Sequence, residues 1–275
     1  MYWDEWKNYY RKIVLTLQLD KKEDDLSSDL LLKCLRSKMA PSTRQAILNY
    51  FEEIFLKPTI IAGAGPSLKT DFITLKRFNF LNKMSLIACD GASLLFKEFD
   101  SIPNIIFSDL DGDQSALIWS LKKGAVLIIH GHGDNIVHIS NYLTMYASII
   151  SKSMVWGSTQ SLPGDGLFNF GGFTDGDRAI ITALHFNVPV IGLIGFDFGE
   201  TIGEYSMKNS RVQKNPGEKI IKFKIAKELI KNACDNHNGQ RFNLTEQGDD
   251  IPGFKTINMN QFNSICKEWY TMHYK

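Results

Sequence analysis

Five short apolar runs, each leading into glycine or acidic residues, constrain this chain more than any other feature of its sequence: TIIA at 59–62, SLIAC at 85–89, NIIFS at 104–108, AVLIIH at 125–130 and PVIGLIGF at 189–196. None alternates apolar with polar residues. Each therefore predicts a strand buried on both faces, which is the condition of a parallel sheet covered by helices on either side. Helical spacing fills the intervals at 68–78, 92–99, 115–123 and 135–147, and a further helix at 174–186 leads into the last run. Strand and helix alternating through short connections predict an α/β fold with a doubly wound, mainly parallel, Rossmann-like sheet.

The opening segment, residues 1–57, differs in kind. It has no glycine, is rich in Leu, Lys, Asp and Glu, and shows helical spacing at 27–34 and again at 42–55, with Ser42 as an N-cap. It reads as an N-terminal helical appendage that ends at Lys57-Pro58 and carries no visible chemistry. Residues 58–235 are then expected to form the α/β domain, closing on an amphipathic basic helix at 216–234, and residues 236–275 to pack on that domain as a tail.

Charge narrows the partners. Lys plus Arg number 31 against 30 Asp plus Glu, a formal net charge of +1, so no global basic field gathers nucleic acid or an anionic membrane, and a small-molecule partner is favoured. Cys34, Cys89, Cys234 and Cys266 stand far apart with no CxxC pair, as reduced thiols do. No run reaches the roughly 20 apolar residues of a membrane span, and the start, MYWDEWKNYYRKI, is unlike a secretory leader. These features predict a soluble, cytoplasmic protein. An apolar face on the first helices would suit a homodimer contact.

In an open parallel sheet, ligands bind beyond the carboxyl ends of the strands, near the point where strand order reverses. The residues able to do chemistry collect there. Gly63, Gly65, Pro66 and Ser67 form a strand-to-helix turn whose free N–H groups at a helix N-terminus would suit a phosphate; the plain alternative is a tight turn capped at Ser67. The loop lacks both the third glycine of a dinucleotide fingerprint and the Gly-Lys-Ser/Thr of a P-loop. Asp109 and Asp111 lie two residues apart past a strand end, followed by Gly112 to turn the loop sharply, and together they would ligate one hard cation. So sparse a loop fits Mg2+ better than calcium, and no EF-hand follows it.

Asp90 follows the second run, Asp134 lies in HGHGDN at 130–135, and Asp197 ends the fifth run. His130 and His132 share a strand face, but no third ligand of zinc type accompanies them, so they are read as lining the site or contacting phosphate. In GGFTDGDRA at 171–179, the planar fork of Arg178 suits a phosphate or a heterocycle face, with Asp175 or Asp177 as a helix cap in the plainer reading. Of the late lysines, Lys219 and Lys222 are the candidates for a phosphate; a solvated helix face is the plainer reading of the set.

In this order, GAGPSL at 63–68, ACDGAS at 88–93, SDLDGD at 108–113, HGHGDN at 130–135, GGFTDGDRA at 171–179 and KIIKFKIAKELI at 219–230 resemble the archaeal-type 6-hydroxymethyl-7,8-dihydropterin pyrophosphokinases, a family similar in its core to thiamin pyrophosphokinases. The resemblance runs through most of residues 58–230. It implies transfer of diphosphate from ATP to the primary hydroxyl of a reduced pterin, release of AMP, and a requirement for Mg2+. It implies Asp109 and Asp111 as the metal-binding pair and Asp90 and Asp134 as neighbouring acidic positions; the mechanism expected from this adds Asp134 as a ligand of a second ion. Either Asp90 or Asp134 would serve as base if one is needed. The nucleotide falls to Gly63, Gly65, Pro66, Ser67, Asp90, His132 and Lys219, and the pterin to Asp175, Asp177 and Arg178. Two rival readings share parts of the pattern: a metal-dependent glycosyltransferase, whose Asp-x-Asp holds a nucleotide sugar, and a non-catalytic nucleotide-binding module.

Overall fold

The computed structural model describes residues 3–40, 42–78, 80–199, 201–207, 216–245 and 248–274. Its strands are β1 (Thr59–Ala62), β2 (Ser85–Cys89), β3 (Ile105–Ser108), β4 (Val126–Gly131), β5 (Val155–Thr159), β6 (Leu167–Phe168), β7 (Val190–Ile194), β8 (Gln240–Asn243) and β9 (Lys255–Thr256). Its helices are α1 (Trp3–Leu17), α2 (Lys21–Lys38), α3 (Thr43–Ile54), α4 (Leu68–Lys76), α5 (Ala92–Glu98), α6 (Gln114–Lys122), α7 (Ile136–Met145), α8 (Ala147–Ile150), α9 (Asp175–His185), α10 (Glu204–Met207), α11 (Pro216–Cys234) and α12 (Met259–His273).

Among the described residues the strands form one sheet in the order β6-β5-β4-β3-β2-β1-β7-β8-β9, and every neighbouring pair is parallel. The α/β, mainly parallel architecture expected from the apolar runs is the one observed. The chain winds outward from β1 to β6 and then returns to lay β7 against the other side of β1, so strand order reverses between β1 and β7.

The runs are unalternated because both sheet faces are covered. Ile60, Ala62, Leu127 and Ile129 face a core shared with α4, α5, α6, α7 and α12. Their neighbours Ile61, Val126 and Ile128 face a second core with Ile47 and Phe51 of α3, Ala179 and Ile180 of α9, and Ile230 of α11. Successive strand side chains point to opposite faces, so two apolar layers require apolar residues at every position.

Four strands, β5, β6, β8 and β9, were not among the runs expected. Strand β5 carries Gly, Ser and Thr, β6 and β9 are two residues each, and β8 (QRFN) begins with the exposed Gln240 and the partly buried Arg241. Residues 236–275 do more than pack on the sheet: β8 and β9 extend it, and Met259, Phe262 and Cys266 of α12 enter its core. The N-terminal helices are present. Leu31 and Leu35 of α2 belong to one core, and Trp6, Tyr10 and Ile13 of α1 pack with Ile181 and Leu229. Ser42 stands at the N-cap of α3, but its backbone is already helical and its hydroxyl caps no amide. All four cysteines are free thiols, and no helix among the described residues is long and apolar enough to cross a membrane.

Candidate active site

Three chain segments bring carboxylates together at the carboxyl edge of the sheet. Past β2, the Asp90 amide still donates to the Phe107 carbonyl (2.7 Å), and a left-handed backbone (φ 40°) then turns the residue so that Ser108 Oγ donates to its Oδ1 at 2.7 Å. Past β3, Asp109 is followed by Leu110 in the left-handed region (φ 71°), which makes the sharp turn expected of Gly112. Gly112 is needed for a different reason: a Cβ there would lie 2.6 Å from Asp90 Oδ1. Asp175 opens α9.

Ligand oxygens of Asp90, Asp109 and Asp175 all lie within 4.8 Å of one another, and each of the three residues is partly buried. Burial, then the charges of Asp109, Asp90 and Asp111, push the Asp175 carboxyl well above the usual carboxylate range, with Arg178 opposing. Such crowding of hard oxygen donors is relieved by a divalent cation, and a set this sparse fits Mg2+, which keeps several waters and takes few carboxylates.

The trio differs from the expected metal set in two members. Asp111 adds to the field at Asp175 and its amide contacts Asp109 Oδ1 (3.2 Å), but its carboxylate is not one of the three. The Asp134 side chain is 82% exposed, with the nearest ion-pair contact, at 3.9 Å, being His132 Nδ1, so it lies outside the group. His132 instead reaches inward: its Nε2 lies 3.4 Å from Asp109 Oδ2, and its ring stacks on that of His130 with centroids 5.6 Å apart. His130 is buried against Ser158 Oγ (3.1 Å), and burial pushes its pKa well below the ordinary value, keeping it neutral.

Asn135, overlooked in the sequence, clamps these loops. Its Nδ2 donates to the carbonyls of Asp109 (2.8 Å) and His130 (2.6 Å), while its Oδ1 accepts from the His132 amide (3.1 Å) and Ser27 Oγ (3.2 Å). Its signal was an asparagine at a helix start directly after an acidic loop.

The glycine turn past β1 corrects an expectation. The Gly63 and Gly65 amides donate to the carbonyls of Ile194 and Gly195, each at 2.9 Å, and the Ser67 amide to Asp197 Oδ2 at 3.2 Å, so these N–H groups are not free for phosphate. Strand β7 lies beside β1, and the turn docks across onto its end. Ser67 Oγ lies 2.9 Å from Asp71 Oδ2 and 3.0 Å from Asp197 Oδ2, and Pro66 is exposed in the same turn.

Asp177 is corrected as well. Thr174 is the N-cap of α9, and Asp177 is its capping-box partner, accepting the amides of Phe173 (2.7 Å) and Thr174 (2.6 Å). A fully buried carboxylate engaged in this way cannot meet a pterin. Arg178 is buried too, its Nη2 3.4 Å from Gln160 Oε1, and burial lowers its pKa to about 10. Lys219 lies over the Phe223 ring (5.3 Å), which meets Phe198 edge-on just past β7, so α11 starts at the carboxyl edge.

Sequence reasoning also overlooked the contribution of the opening helices. Asp24 of α2 is buried and accepts hydrogen bonds from Tyr10 Oη, Gln160 Nε2 and the Gly133 amide.

Comparison with known proteins supplies the family context. The description "6-hydroxymethylpterin diphosphokinase MptE-like" matches residues 35–203. The chain is 35% identical over 228 residues to the 6-hydroxymethyl-7,8-dihydropterin pyrophosphokinase of Methanothermobacter thermautotrophicus, covering 82% of this chain and 92% of that one. It is 36% identical over 230 residues to the protein of the same name from Methanocaldococcus jannaschii, covering 82% and 93%. Among solved structures, the MAf glycosyltransferase of Magnetospirillum magneticum AMB-1 superposes with a TM-score of 0.50 at 14% identity, over 79% of this chain and 37% of that one, a likeness of fold alone.

Proposed function

Because the chain belongs to the 6-hydroxymethylpterin diphosphokinase MptE-like family, we propose that it transfers the β,γ-diphosphoryl group of ATP to the hydroxymethyl oxygen of 6-hydroxymethyl-7,8-dihydropterin, releasing AMP. The observation that carries this reading is the meeting of Asp90, Asp109 and Asp175 at the carboxyl edge. These three would hold Mg2+, which when bound supplies the positive charge that neutralises the donor phosphates.

The protein's own part is placement. In such a transfer the oxygen–Pβ bond forms as the bond from Pβ to the bridging oxygen of AMP breaks, in line, with little covalent chemistry asked of the enzyme. Asn135 holds the Asp109 loop against the end of β4, and His132 steadies the Asp109 carboxylate. Of the two acidic residues considered for the hydroxyl proton, Asp90 belongs to the carboxylate trio, whereas Asp134 is turned outward. Arg178 supplies a buried positive charge behind Asp175 and Asp109. With the Gly63, Gly65 and Ser67 amides engaged by Ile194 at the end of β7 and by Gly195 and Asp197 just past it, the nucleotide is left to side chains of this edge, among them His132 and Lys219.

The test is a product assay: purified protein with ATP and Mg2+, and either 6-hydroxymethyl-7,8-dihydropterin or thiamin, followed by separation of nucleotides and acceptors. AMP and a pterin diphosphate in equal amounts are expected. No AMP with either acceptor, or ADP as the nucleotide product, would refute the proposal.

A further inference from the structure

The buried carboxylate of Asp24 belongs to none of the groups assigned above and lies outside the residues matched by the family description, yet its hydrogen bonds lead through Gln160 to Arg178 of α9. Its Oδ2 accepts from Tyr10 Oη at 2.6 Å and from Gln160 Nε2 at 2.7 Å, and its Oδ1 accepts from the Gly133 amide at 2.8 Å. A carboxylate has no hydrogen to give, so Gln160 must present its NH2 to Asp24 and its carbonyl oxygen to the other side. On that other side is Arg178 Nη2, 3.4 Å from Gln160 Oε1.

Arg178 follows Asp175 by three residues on α9, a spacing that puts both side chains on one helical face and ordinarily pairs them. Among the described residues no hydrogen bond or ion pair joins them, and the buried Arg178 Nε has no partner. An under-satisfied guanidinium one helical turn from a crowded carboxylate would turn onto it if released. We propose that Asp24 is a positioning residue for the acidic centre: by fixing the orientation of Gln160 it holds Arg178 off Asp175 and keeps the Asp175 carboxylate available to a divalent cation. This rests on the metal-holding reading of the Asp90, Asp109 and Asp175 trio.

The experiment is titration of Mn2+, in place of Mg2+, into the full chain without nucleotide or pterin, with bound and free ion read by electron paramagnetic resonance. Asp24→Asn lets Gln160 turn its NH2 toward Arg178, and Gln160→Met removes the bridge. Each is expected to weaken Mn2+ binding about tenfold or more, the scale found when residues behind metal ligands are altered. Tyr10→Phe removes a bond to the same carboxylate without freeing Gln160 and should leave the affinity unchanged. In an Arg178→Met background, Asp24→Asn should have no further effect, because the competing cation is gone.

Circular dichroism melting establishes that each variant compared is folded, and Gln160→Met stands in should Asp24→Asn fail to fold. Wild-type affinity in a folded Asp24→Asn or Gln160→Met, or an undiminished loss in the Arg178→Met background, would overturn the positioning role while leaving the metal reading intact. A wild-type protein that binds no Mn2+ would overturn both.

Discussion

Asp175 and Asp177 are chemically identical, two residues apart on one turn, and have opposite duties. Asp177 accepts the Phe173 and Thr174 amides and closes the capping box, so Asp177→Asn should lower stability by about 1–2 kcal/mol, the worth of a strong cap, seen as a fall in the urea unfolding midpoint. Asp175 is crowded by Asp109, Asp90 and Asp111. Asp175→Asn relieves that repulsion and should not lower the midpoint, yet it should reduce diphosphoryl transfer by about 10²–10³-fold, as losing one electrostatic contact to a charged transition state does. A third residue tests the steric reading of the loop. Gly112→Ala places a Cβ 2.6 Å from Asp90 Oδ1, and the displaced carboxylate should cost at least about tenfold in kcat with a smaller effect on stability.

Among the elements, α2 carries the largest consequence. Its buried face carries Asp24, Ser27 and Ser28 beside Leu31 and Leu35, so polar residues interrupt the apolar stripe of a helix that was read only as part of an appendage. Where Gly157 of β5 would carry a Cβ, Leu31 and Leu35 side-chain carbons already lie 3.0 Å away, so the helix packs directly on the strand backbone. Leu31→Ala should therefore cost about 2–5 kcal/mol, the range for a fully buried leucine, measurable by urea unfolding. A chain starting at residue 39 should lose cooperative unfolding. If α2 were only an appendage, both changes would be nearly silent.

For the whole molecule, histidines whose pKa is lowered by burial contribute to the response to acid. Burial lowers the His185 pKa from 6.5 to about 4, and burial is also the first cause of the lowered value of His237, whose Nε2 lies 2.9 Å from the Val188 carbonyl. A group with a folded pKa below its unfolded one binds more protons when unfolded. The stability it contributes is present above pH 6.5 and is lost as pH falls from 6.5 toward 4. Thermal midpoints should drop across that window, and His185→Phe, which cannot take up the proton, should show a smaller drop than the parent. The difference between the two curves isolates this histidine from the carboxyl groups, several of which titrate with the opposite sign.

Local physics made the frame of this protein legible. A strand covered on both faces needs apolar residues at every position, so β1, β2, β3, β4 and β7 stood out as unbroken runs, and the acidic residues that follow them had to lie on one edge once the strands were parallel. Strands β5 and β8 stayed hidden because glycine, serine, threonine and other polar residues hold their ladders, and backbone pairing leaves no mark in composition. Only the tertiary structure decided which acids meet. Packing of α9 brought Asp175 to Asp90 and Asp109, while the outward turn of Asp134 removed a carboxylate that its neighbours in sequence had favoured. The return of the chain to place β7 beside β1 occupied the amides of the glycine turn, and the seating of α2 brought Asp24 into the interior. Each of these outcomes depends on contacts between residues far apart in the chain, whose geometry is set by the packing of whole elements and is absent from the spacing within any one of them.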